Sequence, residues 1–286
     1  MKKRFDNILI LSDIDGTFIV KPGIVPERNI EAVERFKADG GLFTFNTGRT
    51  HSNLYAAVPT AGEIANAPAA LSNGAYLYDV KNRVAIDNYF MNSEACREFS
   101  AYIRENFKDL GMRASTSECF LAADDDERAI KNIMSIRDIS PDDYSFLPME
   151  EWRYDNWYKL VALGDPERLE VLRDELNTKF EGKFTENGGF VCEKSGKRLL
   201  EIHRADRFKA TVIDTYRRLY ADRGELRVYA VGDYENDREV LLAADVSVCP
   251  ENSLDGIKEI CDLCLCSNED GVIADLIERL YKEYKA

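Results

Sequence analysis

The chain has no hydrophobic run near the ~18 to 20 residues of a membrane-spanning helix, which argues against a membrane partner. It has no basic surplus either: 38 Lys and Arg stand against 52 Asp and Glu, a formal charge of −14. An acidic field repels phosphate backbones, so a surface built to grip nucleic acid is excluded. There is no closely spaced, even set of cysteines. Seven are scattered from Cys96 to Cys266, which fits reduced thiols better than a disulfide framework. Internal repeats and low-complexity tracts are missing. Met1-Lys2-Lys3-Arg4 imitates the basic opening of an export signal, but the apolar run Ile8 to Leu11 is too short and breaks at Ser12-Asp13. The expectation is a cytoplasmic protein with no nucleic-acid or membrane partner; its oligomeric state is left open.

What is present is ordinary globular material: 45% hydrophobic residues, including 14 Phe, 14 Tyr and 2 Trp. The 286 residues, at ~150 per domain, suggest about two domains. The first third alternates strands and helices. A short, largely apolar run, Phe5 to Leu11, reads as a buried strand that stops at Ser12-Asp13-Ile14-Asp15-Gly16-Thr17. Pro26-Glu27 opens a helix closed by Gly40-Gly41. Leu42 to Phe45 is a second strand ending at Asn46-Thr47-Gly48-Arg49, and a helix through Leu54 and Ala57 leads to a third, Ala69 to Leu71. The last third repeats this grammar from Phe208 to Tyr284, with a strand over Leu226 to Val231 that halts at Gly232-Asp233.

The expected fold is therefore α/β, a Rossmann-like, doubly wound parallel sheet with right-handed crossovers. The middle breaks the pattern and reads as an inserted α+β domain over 84–201, in a core made of 1–83 and 202–286. Trp152 and Trp157 read as core of that insertion. Cys264 and Cys266 read as small buried hydrophobes on one strand face, since Cys261-x-x-Cys264-x-Cys266 lacks a companion pair at zinc spacing.

Open α/β sheets bind ligands at the carboxyl ends of their strands. Here those ends would gather Asp13, Asp15, Asp233 and Asp237. Like charges so close destabilise one another unless a cation sits among them, and hard carboxylate oxygens suit Mg²⁺ beside a substrate phosphate. Asp13, facing such a substrate, has the chemistry of a nucleophile. Asp15, pointing elsewhere, can give and take a proton. Thr47 offers a hydroxyl, and the Gly48 and Arg49 N–H groups are expected to open a helix N-terminus that seats phosphate. Lys209 is the cation best placed to neutralise phosphoryl oxygens; Lys197 falls in the insertion. Arg49 itself reads either as a substrate contact or as half of an ion pair. Asn73 reads as a loop residue and His51 as a helix surface residue. His203 falls near the return from the insertion.

Asp-Ile-Asp-Gly-Thr at 13–17, Thr47-Gly48-Arg49, Lys209 and Gly-Asp-Tyr-Glu-Asn-Asp at 232–237 resemble, in order, the four motifs of the haloacid-dehalogenase (HAD) superfamily. Ser72-Asn73-Gly74-Ala75, Glu201-Ile202-His203-Arg204 and Asn268-Glu269-Asp270-Gly271 further resemble its Cof-type subgroup, which carries a type IIB cap. The resemblance covers the whole core, whereas the insertion matches by size and position. It implies a Mg²⁺-dependent phosphatase of small phosphate esters, with sugar phosphates the common substrates and a cap that sets specificity. It implies Asp13 as the phosphorylated nucleophile, Asp15 as acid and base, and Thr47 and Lys209 as holders of the phosphoryl group. The metal would be held by Asp13, the Asp15 carbonyl and Asp233, with Asp237 in or behind that set. Glu239-Val240 and Pro250-Glu251-Asn252 depart from the subgroup's usual Met and Asn-Ala, and neither is expected to touch the chemistry. A phosphosugar mutase and a non-catalytic sensor of phosphorylated ligands are the alternative readings of the same motifs.

Overall fold

The computed structural model describes residues 3–136, 139–185, 188–194 and 198–284. Lys197 and the first two residues of the chain lie outside the described residues. Contacts divide the chain into two units, one of Met1–Asp87 with Phe208–Ala286, the other of Asn88–Arg207. These boundaries correct the expected breaks at 83/84 and 201/202. A cut at 201/202 would fall inside a strand, Leu199–His203, that is hydrogen-bonded along both edges.

The first unit opens with β1 (Ile8–Ser12), α1 (Glu27–Ala38), β2 (Leu42–Phe45), α2 (His51–Ala57), α3 (Ala61–Ile64), β3 (Ala69–Leu71), β4 (Tyr76–Asp79) and β5 (Val84–Asn88), the last straddling the boundary. The second unit holds α4 (Ser93–Asn106), β6 (Gly111–Thr116), β7 (Phe120–Ala123), α5 (Glu127–Met134), β8 (Tyr144–Leu147), β9 (Trp157–Leu163), α6 (Pro166–Lys179), β10 (Val191–Lys194) and β11 (Leu199–His203). The chain then returns with α7 (Val212–Leu219), β12 (Arg227–Val231), α8 (Arg238–Ala243), β13 (Val246–Pro250), α9 (Asp255–Lys258), β14 (Leu263–Leu265) and α10 (Val272–Glu283).

In the first unit five strands lie in the order β14-β13-β12-β1-β2, all parallel. Parallel strands covered on both faces are apolar throughout. β1 accordingly reads Ile-Leu-Ile-Leu-Ser and is buried along its whole length. The α1 helix buries Asn29, Ala32, Val33 and Phe36, positions that share one face at helical spacing. On one side of the sheet Leu9, Leu11, Val228 and Ala230 pack with Val212, Ile213 and Tyr216 of α7. The third expected strand, β3, continues the parallel order beside β2 through a parallel bridge between Asn46 and Ala70 and the Thr47 N–H to Ala70 carbonyl bond at 3.0 Å. Its other edge pairs antiparallel with β4, which the sequence reading did not anticipate.

The second unit is a six-stranded sheet, β10-β11-β9-β6-β7-β8, antiparallel except where β7 meets β8. Helices α4 and α6 cover one face, where Phe99, Ile103, Leu172 and Leu176 meet Leu160, Ala162, Leu200 and Ile202. Trp152 and Trp157 are buried in this layer. The other face carries α5, whose Ala129 and Ile133 pack on Phe120, Ala122 and Val161. The side chains of Lys159 and Glu201, directly paired at 2.8 Å, are also buried there.

Candidate active site

The three motif-bearing strands end level with one another, because Ser12 is in register with Val231 on one side and with Phe45 on the other. The ladder continues one step further: Asp13 N–H donates to the Val231 carbonyl at 2.8 Å, and Asn46 N–H to the Ser12 carbonyl at 2.8 Å. The residues just past this line, Asp13, Thr47 and Asp233, are thereby set at adjacent strand ends by backbone bonds alone. Ligand oxygens of Asp13, Asp233 and Asp237 all fall within 4.8 Å of one another.

Lys209 bridges two of these carboxylates. Its Nζ donates to Asp13 Oδ1 and Asp237 Oδ1, each at 2.6 Å, and its side chain is 1% exposed. Burial alone would push a lysine down, but the two carboxylates raise Lys209 above the ordinary ammonium range. Asp13 moves up from the usual carboxylate range: burial favours its neutral form, and the Lys209 charge opposes this only in part. Asp233 is pushed up to about 6, again chiefly by burial, with Thr17 Oγ1 opposing the shift by donating to its Oδ1 at 2.7 Å. Two carboxylates that resist ionisation at a buried, all-oxygen site are the arrangement a hard divalent cation would relieve, and Mg²⁺ fits this donor set.

Asp237, expected in or behind the metal-holding set, lies with Asp13 and Asp233 in the carboxylate cluster. Its Oδ2 accepts from Asp233 N–H at 3.1 Å and Tyr234 N–H at 3.2 Å, while Oδ1 is taken by Lys209. Both oxygens are thus occupied by protein donors, and Asp237 ties Lys209 to the Asp233 loop. Only glycine fits at 232, because a Cβ there would lie 2.5 Å from Asp237 Cβ. Gly16 is constrained in two ways: its φ is +75°, and a Cβ would come within 2.4 Å of Asp233 Oδ2.

Asp15 is not in the carboxylate cluster. Its side chain is 52% exposed and held by Arg49 in a two-pronged pair, Nε to Oδ2 and Nη2 to Oδ1, both at 2.7 Å. Two carboxylates two residues apart in the same loop therefore occupy different environments. Arg49 is the ion-pair partner of Asp15 in this structure. The helix after it starts later than expected: Thr50 is its N-cap, closed by Asn53, and the Arg49 N–H donates to Thr47 Oγ1 at 3.2 Å. The Gly48 and Arg49 amides are thus ahead of the helix, and the Arg49 amide is already bonded. Glycine at 48 permits a close approach, since a Cβ would lie 3.0 Å from Asn73 Oδ1.

Asn73 is a loop residue with φ +57°, and its N–H braces the Thr47 carbonyl at 3.0 Å. His51 packs on Tyr78 and reaches the Tyr76 hydroxyl at 3.0 Å, apart from the carboxylates. His203 is buried in β11 of the second unit, with Nε2 3.2 Å from Glu193. Cys264 is exposed rather than buried, because β14 is the edge strand of its sheet, and Cys266 lies beyond the strand end.

Three residues escaped the sequence reading. Asn46 Nδ2 holds the Lys209 carbonyl at 2.9 Å, and Thr17 holds Asp233. Asn252 Nδ2 donates to the Gly16 carbonyl at 2.8 Å, and its Oδ1 accepts from Asn268 N–H. The signal for Asn252 was the departure Pro250-Glu251-Asn252 itself, a second amide at the lip of the site.

A sequence profile of the haloacid dehalogenase-like hydrolases matches residues 10–277, and the chain belongs to that family. Among curated proteins it is similar to the 5-amino-6-(5-phospho-D-ribitylamino)uracil phosphatase YwtE of Bacillus subtilis, 25% identical over 293 residues that cover 95% of this chain and 97% of the relative. Among solved structures it is similar to a HAD/COF-like hydrolase from Plasmodium vivax, with TM-score 0.79, 20% identity, and 98% and 97% of the two chains covered. It is also similar to the HAD subclass IIB sugar phosphatase BT4131, with TM-score 0.75, 16% identity, and 95% and 98% covered. Among the described residues no helix is long and apolar enough to cross a membrane.

Proposed function

We propose that the chain is a Mg²⁺-dependent phosphatase that hydrolyses a small phosphorylated metabolite through a phosphoryl group carried on Asp13. The observation that carries this is the buried Asp13–Lys209–Asp237 bridge within reach of Asp233. Sugar phosphates are the first substrate class to test. The Bacillus subtilis relative is named for an ester on a ribityl chain, a substrate of related chemistry.

Asp13 and Asp233 would hold the ion, with the Asp15 carbonyl beside them. When bound, Mg²⁺ supplies charge to the phosphoryl oxygens and keeps the two carboxylates ionised. An Asp13 oxygen attacks phosphorus, the bond to the ester oxygen breaks, and an aspartyl phosphate forms. Asp15 protonates the departing oxygen and later takes a proton from the water that hydrolyses the aspartyl phosphate. Lys209 and the Thr47 hydroxyl balance charge on the transferred group. Arg49 holds Asp15 until the substrate engages. The unit Asn88–Arg207 acts as the cap that selects the substrate, and the protein works in the cytoplasm without a nucleic-acid or membrane partner.

The test is phosphate release with Mg²⁺ from a panel of hexose and pentose phosphates, a phosphoribityl ester, pyridoxal phosphate and flavin mononucleotide. Inorganic phosphate from at least one ester, lost in Asp13→Asn with fold retained, is the expected result. Only the isomer of a hexose 1-phosphate would indicate a mutase, and binding with no release across the panel a sensor.

A further inference from the structure

One short loop, between β13 and α9, braces both flanks of the carboxylate cluster. Asn252 Nδ2 donates to the Gly16 carbonyl at 2.8 Å, and Leu254 N–H donates to the Asp233 carbonyl at 3.2 Å. Asn252 is itself steered, because its Oδ1 accepts from Asn268 N–H at 2.9 Å. That bond fixes which end of the amide faces Gly16. Asn268 Nδ2 in turn donates to the Ile19 carbonyl at 2.8 Å. From α1, the fully buried Asn29 donates to the Phe18 carbonyl at 3.2 Å. Three asparagines from three separate segments thus tie down the loop that follows Asp13.

Donors are bonded to the carbonyls of Ile14, Gly16, Phe18 and Ile19. Among the described residues none is bonded to that of Asp15. Only the torsions of Gly16, with φ at +75°, lie between the Asp15 carbonyl and the carbonyl that Asn252 anchors. Glycine resists rotation weakly, so the bond from Asn252 supplies stiffness that residue 16 lacks. Just beyond the anchored peptide stands Thr17, whose hydroxyl holds Asp233 at 2.7 Å. A slack Gly16 would loosen the Asp15 carbonyl on one side and Asp233 on the other.

We propose that Asn252 is a positioning residue for the divalent cation, holding the Asp15 carbonyl and Asp233 in a fixed relation through Gly16. This rests on the proposed Mg²⁺ site. The segment Pro250-Glu251-Asn252, expected to stay clear of the chemistry, then acts on it through the Gly16 peptide. Mg²⁺ accepts little departure from octahedral geometry, so its affinity reads small rotations of the Asp15 carbonyl. Residues that orient metal ligands contribute about 10- to 100-fold to affinity. Asn252 is exposed, so its replacement should leave the fold intact.

Mg²⁺ binding to the full chain is measured by calorimetry, with the melting temperature in EDTA as the control for folding. Asn252→Ala should weaken binding on the order of 10-fold while melting near the wild type in EDTA. Asn252→Asp adds a negative charge but, as a carboxylate, has no donor for Gly16, so it should lose affinity as well. Tighter binding in Asn252→Asp would make charge rather than loop position the determinant and overturn the proposal. Unchanged affinity in Asn252→Ala, with or without a lower melting temperature, would overturn it and leave the phosphatase reading standing. A wild-type chain that binds no Mg²⁺ would overturn both. Where phosphate release is present, the activity lost in Asn252→Ala should return at saturating Mg²⁺. A loss that persists there would place Asn252 in the chemical step and overturn the proposal. The binding measurement needs no activity, so a failed phosphatase assay leaves it decisive.

Discussion

Replacing Lys209 by Met removes the only positive charge that the described residues place between Asp13 and Asp237. The shape of the side chain is roughly kept, so the loss is mainly electrostatic. The Lys209 and Asp237 side chains are each 1% exposed and that of Asp13 is 9% exposed, which leaves water little room to replace the ammonium. Breaking a buried pair on one side costs about 3–5 kcal/mol because the remaining charge is stranded. The carboxylates escape by taking up protons. Groups raised in this way bind more protons folded than unfolded above pH ~4, so stability falls as pH rises through their folded range.

The destabilisation of Lys209→Met in EDTA should therefore be larger at pH 7 than at pH 5. It should shrink when Mg²⁺ is added, and also when Asp237→Asn is combined with it. Guanidinium unfolding followed by Tyr and Trp fluorescence reads all three comparisons. A variant that unfolds with the wild-type midpoint at pH 7 in EDTA would refute the claim that the bridge holds the site together.

Three further outcomes follow from the same geometry. Asp15→Asn should lower phosphate release by about 10²- to 10⁴-fold for alkyl esters, and much less for p-nitrophenyl phosphate, whose leaving group needs no proton; equal losses for both would remove Asp15 as the acid. Gly16→Ala must hold a left-handed φ and place a methyl 2.4 Å from Asp233 Oδ2, so it should weaken Mg²⁺ binding measured by calorimetry, and wild-type affinity would contradict the site. Burial pushes Asp233 up to about 6, so at pH 5 the ion must displace its proton and at pH 7 largely need not. The Mg²⁺-induced rise in melting temperature should accordingly be larger at pH 7 than at pH 5, and a reversed order would count against Asp233 as a ligand.

The core strands were legible because parallel strands buried on both faces have to be apolar runs. β1, β2 and β12 are such runs, and each stops where its polar motif begins. The second unit was harder to read. β6 is Gly-Met-Arg-Ala-Ser-Thr, buried along its whole length yet half polar, because Arg113 and Ser115 bond within the unit. Such a strand carries no hydrophobic signature. β11 likewise hides Glu201 by pairing it with Lys159, a partner 42 positions away. At the site, residue types and order located the carboxylates and Lys209. They did not reveal that Asp15 leans on Arg49, that Asp237 spends both oxygens on protein donors, or that Asn252 reaches Gly16. Those are side-chain directions set by tertiary contacts, and one-dimensional spacing does not encode them. The exposure of Cys264 follows from strand order, since being an edge strand depends on which neighbour is missing.

The central claim is that Asp13 carries the phosphoryl group. Rapid acid quench of a single turnover, followed by borohydride reduction and peptide mapping, reads this directly. The account predicts one reduced aspartyl site, at Asp13, in the wild type and in slowed Asp15→Asn, and none in Asp13→Asn. A label on another residue, or substrate hydrolysed with no labelled residue in the slowed variant, would contradict it.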